Sequence, residues 1–471
     1  MALNVVIMAA GKGTRMHSAT PKVLHRLAGR PLLQHVLDRV APLAGRFGEV
    51  HAVVVTGHGA ERVEALVGEH ARCVRQEPQR GTGHAVQMTV PALDDAADTT
   101  LILNGDVPLI GTDTAAALAA ACGGQRLALL TVMLDDPTGY GRIVRAASGA
   151  GAAGDPVQAI VEHKDASQAQ RAIREVYTGM MAAPTAALKR WVMALTDDNA
   201  QREYYLTDIV AMAVAEGVPV VASPAADETE VLGVNSPAQL ADLERRLQRR
   251  LAGQLMDAGL RLADPARFDL RGTLAHGRDC EIDVNCVLEG EVRLGEGVRI
   301  GANCVIRDAH IADGAVIHPF THIEGAGPGA QAVQVGAGAL VGPFARLRPG
   351  AVLGDEVHIG NFVEVKNSTL ARGAKANHLA YLGDASVGER VNYGAGSITA
   401  NYDGANKHRT VIEADVHVGS NCVLVAPVTL GAGATIGGGS TIAKDAPAGQ
   451  LTVARAKQVS LAGWQRPRKK G

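Results

Sequence analysis

The sequence predicts an α/β chain in two parts: a Rossmann-like domain, then a parallel β-helix of hexapeptide repeats. Three observations carry this expectation. Short apolar runs alternate with helical patterns from residue 1 to about 235. From about residue 264 an aliphatic side chain recurs every six positions. Between them lies one long charged helical pattern over 236–258. The expected division is therefore 1–235, a linker helix at 236–262, and 263–471.

The bulk numbers agree with two or three domains. The chain has 471 residues, is 47% hydrophobic and 20% charged, and carries a net charge of −2. That balance gives no electrostatic case for nucleic acid. The basic stretch 466–471 is short and reads as a solvated tail. No apolar run approaches the roughly 18–20 residues needed to cross a bilayer, so no membrane insertion is expected. The N-terminus reads as a buried strand and not as a secretory signal. Cys73, Cys122, Cys280, Cys286, Cys304 and Cys422 form no C-x-x-C pair, which predicts reduced thiols in the cytoplasm.

In the first part, residues 5–10, 52–56, 100–103 and 127–134 read as buried strands. Residues 32–43, 60–67 and 112–121 read as the helices between them. The alternation predicts a parallel sheet covered on both faces, with ligands outside the carboxyl ends of its strands. In the connector, Leu240, Leu243, Leu247, Leu251 and Leu255 share one stripe; a short basic coiled coil is the alternative.

The second part keeps a strict period. Leu294, Ile300 and Ile306 are one run of six-residue steps; Val335, Val341, Leu347, Leu353, Ile359 and Val365 are another. Ile412, Val418, Leu424, Leu430, Ile436 and Ile442 make a third. Each hexapeptide supplies one flat side of a triangular coil, and the aliphatics stack inside. Cys280, Cys286, Val292, Val298 and Cys304 form a second column two places earlier, with Cys422 in the same place before Leu424. These cysteines read as small core hydrophobes, not metal ligands. The period breaks at 322–334 and 399–409, and loops leaving a rigid solenoid often carry its function.

Chemistry concentrates first at Met8-Ala9-Ala10-Gly11-Lys12-Gly13-Thr14-Arg15-Met16, directly after the first strand. It is neither a dinucleotide fingerprint nor a Walker loop. Its glycines still let backbone N–H groups approach an anion, and Arg15 and Lys22 add charge suited to phosphate. A plain strand–turn–helix junction is the alternative. Gln76 with Gly81-Thr82 has the groups to read a base edge. Asn104-Gly105-Asp106 ends another strand, where a carboxylate suits Mg²⁺; a turn or cap is the alternative.

These stretches, with PKVL, QEPQRGTGHA, NGDVPL, DPTGYGRI, IVEHKD, EYYLTD and GVN, look like a sugar-phosphate nucleotidyltransferase. With the hexapeptide repeat behind them, the whole chain resembles the bifunctional bacterial N-acetylglucosamine-1-phosphate uridyltransferase/glucosamine-1-phosphate acetyltransferase family. That resemblance implies a Rossmann-like nucleotidyltransferase domain followed by a left-handed β-helix. It places UTP and UDP-N-acetylglucosamine on Met8, Ala9, Ala10, Gly11, Lys22, Gln76, Gly81, Thr82, Asn104, Gly105 and Asp106. Gly141, Glu162 and position 177 would meet the sugar, and Asp106 with Asn235 would hold Mg²⁺. Arg15 and Lys22 would act in catalysis by neutralising the triphosphate. Where the family carries Asn-Thr-Gly this chain has Tyr177-Thr178-Gly179, which leaves the sugar contact at 177 open.

In the repeat, Arg346, Arg348, Lys366 and Asn392 suit an anionic sugar phosphate, with arginine–carboxylate pairing as the alternative. The resemblance assigns glucosamine 1-phosphate to Arg348, Lys366, Tyr381 and Asn392, and makes His378 the general base of acetyl transfer. It gives acetyl-CoA to Ala395, Asn401, Tyr402, Ser420, Gly438 and Arg455, with the Ala395 N–H as oxyanion donor. It also implies a homotrimer and a place in cell-wall and lipopolysaccharide precursor synthesis. Two alternatives stay open here: a nucleotidyltransferase whose repeat only oligomerises, and a non-catalytic nucleotide sensor.

Overall fold

The computed structural model describes residues 2–146, 156–161, 163–199, 201–327, 330–467 and 469. The chain divides into two compact units, Met1–Leu247 and Gln248–Gly471.

The first unit is built on one sheet. Ala2–Met8 lies inside it, parallel to both Glu49–Thr56 and Thr99–Asn104. Leu3, Val5, Val6 and Ile7 have no exposed surface. Val5 and Ile7 face one apolar cluster, which includes Leu33, Val36 and Leu118. Val6 faces the other, with Val86, Trp191 and Ile209. This is why the strand reads as a continuous apolar run: side chains alternate between two buried faces.

The sheet is mixed, which corrects the expectation of a parallel one. Glu175–Pro184 runs antiparallel to Thr99–Asn104 and to Leu127–Met133. Between Met133 and Glu175 the described chain forms the antiparallel pair Arg142–Arg145 and Val157–Val161 and a single helical turn at Gln168–Arg171. Among the described residues no long crossover helix stands there to return the chain parallel. The first strand also stops at Met8, not residue 10, because the Ala10 carbonyl turns away to Gln79 Nε2 at 2.6 Å and His58 N at 3.3 Å. The helix Leu32–Val40 tightens into a 3₁₀ turn at Ala41–Leu43, where Pro42 lacks an N–H. Thr112–Cys122 ends on Gly123 at φ +52°, the left-handed cap that glycine favours.

The connector helix spans Pro237–Asp257. Leu243 and Leu247 are buried, while Leu251 and Leu255 pack on the apolar core of the second unit. The unit boundary thus falls within this helix.

In the second unit every described pairing between its strands is parallel, from Arg261–Leu262 to Leu451–Thr452. Ile282 pairs with Ile300 and Leu288 with Ile306, so one coil takes 18 residues (300 − 282), or three hexapeptides. Leu288, Ile306, Ile323, Leu347, Val365 and Leu382 stack with no exposed surface. The cysteine column is buried in the same core, and all six thiols are free. Where the period breaks, the coil lengthens: Val316 pairs with Leu340 and Ala385 with Thr410.

One corner of the coil is unusual. Asn285, Asn303, Phe320, Phe344, Phe362 and Leu379 all sit at φ between 49° and 61°. Asparagine tolerates this region, whereas a bulky residue there is strained. The three phenylalanine rings stack at 4.9 and 5.4 Å between centroids, and they and Leu379 are about half exposed.

Candidate active sites

The first site gathers at the strand ends. Gly13, at φ +62°, lies so close to Lys22 that a Cβ there would meet Lys22 Cβ at 2.7 Å, so the loop is folded onto the lysine. Lys22 Nζ donates to Asp106 Oδ2 and, at 3.1 Å, to Asn235 Oδ1. Val234 N–H donates to the Asp106 carbonyl and Gln239 Oε1 accepts from Asn235 N, which fixes both oxygen donors. Gly105 N–H donates to the Met8 carbonyl at 2.9 Å, and a Cβ on Gly105 would crowd that carbonyl. Arg15 is exposed, and no carboxylate pairs with it among the described residues. The two cations therefore flank the glycine loop, as phosphate binding requires.

Asp106 and Asn235 present one carboxylate and one amide oxygen to a single cation, here the Lys22 ammonium. That donor set suits Mg²⁺, which takes few protein oxygens and completes its shell with water and phosphate. Among the described residues no cluster of three or more His, Cys, Asp or Glu makes a dedicated metal cage.

Gln76 is buried, and its amide nitrogen is engaged by the Gly81 carbonyl at 2.9 Å and by His84 Nδ1 at 3.2 Å. Thr82 Oγ1 accepts from Leu206 N. Beside these groups lies a cavity of 570 Å³, lined among others by Met8, Thr82, Asn104, Gly141 and Tyr177. Five expected residues thus line one cavity. Tyr177 is mostly buried; its N–H donates to the Gly141 carbonyl at 2.9 Å, and its ring joins the apolar cluster on that sheet face. Ala9, Ala10, Gly11 and Gly105 belong to the adjoining loops. Glu162 lies outside the described residues. The sequence reading missed Tyr140, His163 and Tyr205, which also line the cavity.

The second site lies on the coil. Arg346 and Glu364 are register partners, as are Glu364 and Tyr381. Arg348 Nη1 donates to Glu364 Oε1 at 2.8 Å, and Arg346 reaches the same carboxylate at 3.5 Å. Both arginines are therefore ion-paired, as the simpler reading held, while Arg348 stays next to the Glu364–Lys366 strand. Lys366 lies beside Lys407, and that second ammonium, with burial and Arg348, holds it below the ordinary lysine range. Lys407 comes from the 399–409 excursion, closed by a Tyr402–Lys407 bridge. No sequence pattern singles it out.

His378 sits on the neighbouring face, in the strand Lys375–His378, and is exposed. Asn361, its register partner one coil earlier, meets it through Oδ1 and Nδ1 at 2.9 Å. An amide oxygen accepts only, so Nδ1 carries the proton and Nε2 keeps the basic lone pair. Asn392 pairs with Lys375 on this face, not with Lys366. His378 thus stands at the corner between the face bearing Asn392 and the face bearing Lys366 and Tyr381.

Of the residues expected to take acetyl-CoA, Ala395, Ser420, Gly438 and Arg455 follow a line along the coil. Asn421 N–H donates to the Ala395 carbonyl, Gly439 N–H to the Ser420 carbonyl, and Arg455 Nη1 to the Gly438 carbonyl. A Cβ on Gly438 would lie 3.3 Å from the Ser420 carbonyl, so this position takes at most a small side chain. Asn401 is buried with its amide on Asp384, whereas Tyr402 is largely exposed.

Fold and sites together define a nucleotidyltransferase joined to a hexapeptide-repeat transferase. Residues 5–261 match the MobA-like NTP transferase domain, and 276–308, 332–367 and 409–444 match the bacterial transferase hexapeptide. The chain is 74% identical to the bifunctional protein GlmU of Methylibium petroleiphilum over 99% of its own length and 100% of the relative's. It is 68% identical to that of Paracidovorax citrulli and 59% to that of Azoarcus sp., each over 99% of both chains. The chain belongs to the GlmU family of bifunctional enzymes.

Proposed function

We propose that the chain makes UDP-N-acetylglucosamine in two steps, one per unit. At the coil, the amine of glucosamine 1-phosphate attacks the acetyl-CoA thioester carbonyl. His378 Nε2 takes the amine proton, and coenzyme A leaves as the thiol. At the first site, the phosphate of N-acetylglucosamine 1-phosphate attacks the α-phosphorus of UTP and pyrophosphate leaves. No covalent enzyme intermediate is needed, so Arg15, Lys22 and the loop backbone act by positioning and charge neutralisation. Mg²⁺ on Asp106 and Asn235 would supply further neutralisation of phosphate charge. The observation that carries the reading is the end-to-end relationship to proteins named bifunctional GlmU, covering both units.

The assignments within each site belong to the same proposal. UTP and the sugar phosphate take the 570 Å³ cavity and its loops; glucosamine 1-phosphate takes Arg348, Lys366, Tyr381 and Asn392; acetyl-CoA takes the line from Ala395 to Arg455. The exposed Phe320–Phe344–Phe362 ladder, strained and apolar, supports association of three copies along the coil. None of the described helices is long and apolar enough to cross a membrane; we place the enzyme in the cytoplasm, where its free thiols stay reduced.

One assay tests both steps. Supplied with UTP, Mg²⁺, acetyl-CoA and glucosamine 1-phosphate, the protein should release free thiol and pyrophosphate. His378→Ala should stop thiol release yet still convert N-acetylglucosamine 1-phosphate. Asp106→Ala should do the reverse. Wild-type protein that released no thiol would sink the two-step reading.

A further inference from the structure

Arg142 has only 1% of its surface exposed, the most buried cation described in the first unit. Among the described residues no carboxylate pairs with it, and its Nε has no hydrogen-bond partner. The exposed Asp136 carboxylate feels its charge without forming an ion pair, and a buried guanidinium with no paired carboxylate among the described residues is costly and calls for a reason. Its two remaining nitrogens are used. Nη1 donates to the Tyr140 carbonyl, and Nη2 meets His163 Nδ1 at 3.1 Å. Tyr140 and His163 both line the 570 Å³ cavity, on segments that flank Gly141 and Tyr177.

The chemistry of that second contact is one-sided. A guanidinium has only donors, so His163 Nδ1 must accept through its lone pair. The ring proton then sits on Nε2. His163 therefore offers a donor at the cavity wall, its tautomer set by a group that has only donors.

We propose that His163 is a sugar-recognition residue and Arg142 its positioning residue. The His163 Nε2–H donates to an acceptor oxygen of the amino-sugar phosphate, a ring hydroxyl or the acetamido carbonyl. Arg142 fixes the tautomer and, through the Tyr140 carbonyl, the segment that carries Gly141. The inference rests on the proposal that this cavity takes the sugar of the uridylyl-transfer step. It also supplies a polar contact on the wall where Tyr177 replaces a smaller amide residue.

Steady-state kinetics with UTP and N-acetylglucosamine 1-phosphate test it, because one lost neutral hydrogen bond to substrate costs about tenfold. His163→Ala should raise KM for the sugar phosphate about tenfold and leave KM for UTP within about twofold. His163→Gln, which keeps an N–H near the Nε2 position, should recover most of the loss. Glucose 1-phosphate as a second substrate separates the acceptors: a penalty confined to the acetamido sugar assigns the carbonyl, and an equal penalty assigns a hydroxyl. Nitrogen-15 spectra of the imidazole should show the Nε2–H tautomer in wild type and a tautomer mixture in Arg142→Met. Should that variant not fold, the wild-type spectrum and the two His163 variants still decide the matter. An unchanged sugar KM in His163→Ala, or an Nδ1–H tautomer in wild type, overturns the inference while uridylyl transfer stands. Absence of turnover by wild type overturns the functional reading beneath it.

Discussion

Lys22 Nζ occupies the point to which Asp106 and Asn235 both direct an oxygen, donating to each of them. Two cations cannot share that point. If Asp106 and Asn235 hold divalent metal as proposed, the metal would have to displace the ammonium, and a triphosphate would supply the alternative partner that draws Lys22 away. Binding of metal and nucleotide should be mutually favourable for this reason. Mn²⁺ binding followed by electron paramagnetic resonance should be weak in the absence of nucleotide and about tenfold tighter in Lys22→Met, within the usual range of such couplings. Equal Mn²⁺ affinity in the two proteins would show that Lys22 does not contest the seat.

In the second unit, His378 is held by Asn361. The Asn361 Oδ1 accepts from Nδ1 and so keeps the basic lone pair on Nε2. With His378 as the proposed base, His378→Ala should lower acetyl transfer about 10²–10⁴-fold. Losing Asn361 frees the tautomer and ring orientation. Asn361→Ala should then lower kcat for acetyl transfer about tenfold, the scale of one hydrogen bond, with little change in the acetyl-CoA KM. The measurement is thiol release against acetyl-CoA concentration; a fall in affinity with kcat intact would contradict a positioning role.

The residues involved show what the sequence made legible. Ala2–Met8 and the six-residue columns were readable because burial on both faces, or once per coil side, imposes a period on the chain itself. Glu175–Pro184 was not: its small apolar residues and its bulge between Tyr177 and Met181 carry no clean alternation. Lys22 and Asp106 were readable as strand-end polar groups, yet their mutual contact spans 84 residues and follows from no local pattern. Asn361 stands 17 residues before His378. A coil of three hexapeptides would put Gly360, 18 residues back, against His378; this coil is one residue short, so counting hexapeptides alone misses Asn361 by one position. Lys407 carries no periodic signal, because its excursion leaves the period.

If glucosamine 1-phosphate binds at Lys366 as proposed, the Lys366–Lys407 pair should make its affinity depend on pH. Lys407, then burial, lowers the pKa of Lys366. The protonated form attracts the anion, so affinity is fully present below the lowered pKa and declines as pH rises through it, earlier than for an ordinary lysine. Bound phosphate adds an opposite charge and raises the pKa again. Lys407→Met removes the repelling ammonium, which moves the decline to higher pH while weakening binding at neutral pH by the loss of one cation. Equilibrium binding of glucosamine 1-phosphate across pH 7–10 reads both effects, the window being approximate and set by the usual lysine range. A decline at the same pH in wild type and Lys407→Met would remove Lys407 from this role.

Gly360 joins coil stability to the second site. It directly precedes Asn361, and a Cβ built on it would lie 1.9 Å from the Asn377 carbonyl, with the Asn377 Cα and carbonyl carbon also inside 3 Å. Backbone cannot swing aside as a side chain can. Gly360→Ala must push apart two stacked coils, one carrying Asn361 and the other His378. Overpacking of this kind costs about 1–3 kcal/mol. The second unit of Gly360→Ala should therefore melt at lower temperature than in wild type. The Asn361–His378 hydrogen bond should lengthen, and acetyl transfer at 25 °C should fall even where the protein remains folded. Uridylyl transfer, performed by a unit with its own core and sheet, should keep its wild-type rate. Calorimetry with the two activities measured side by side separates these effects, and equal losses in both activities would show that the strain is not confined to the coil.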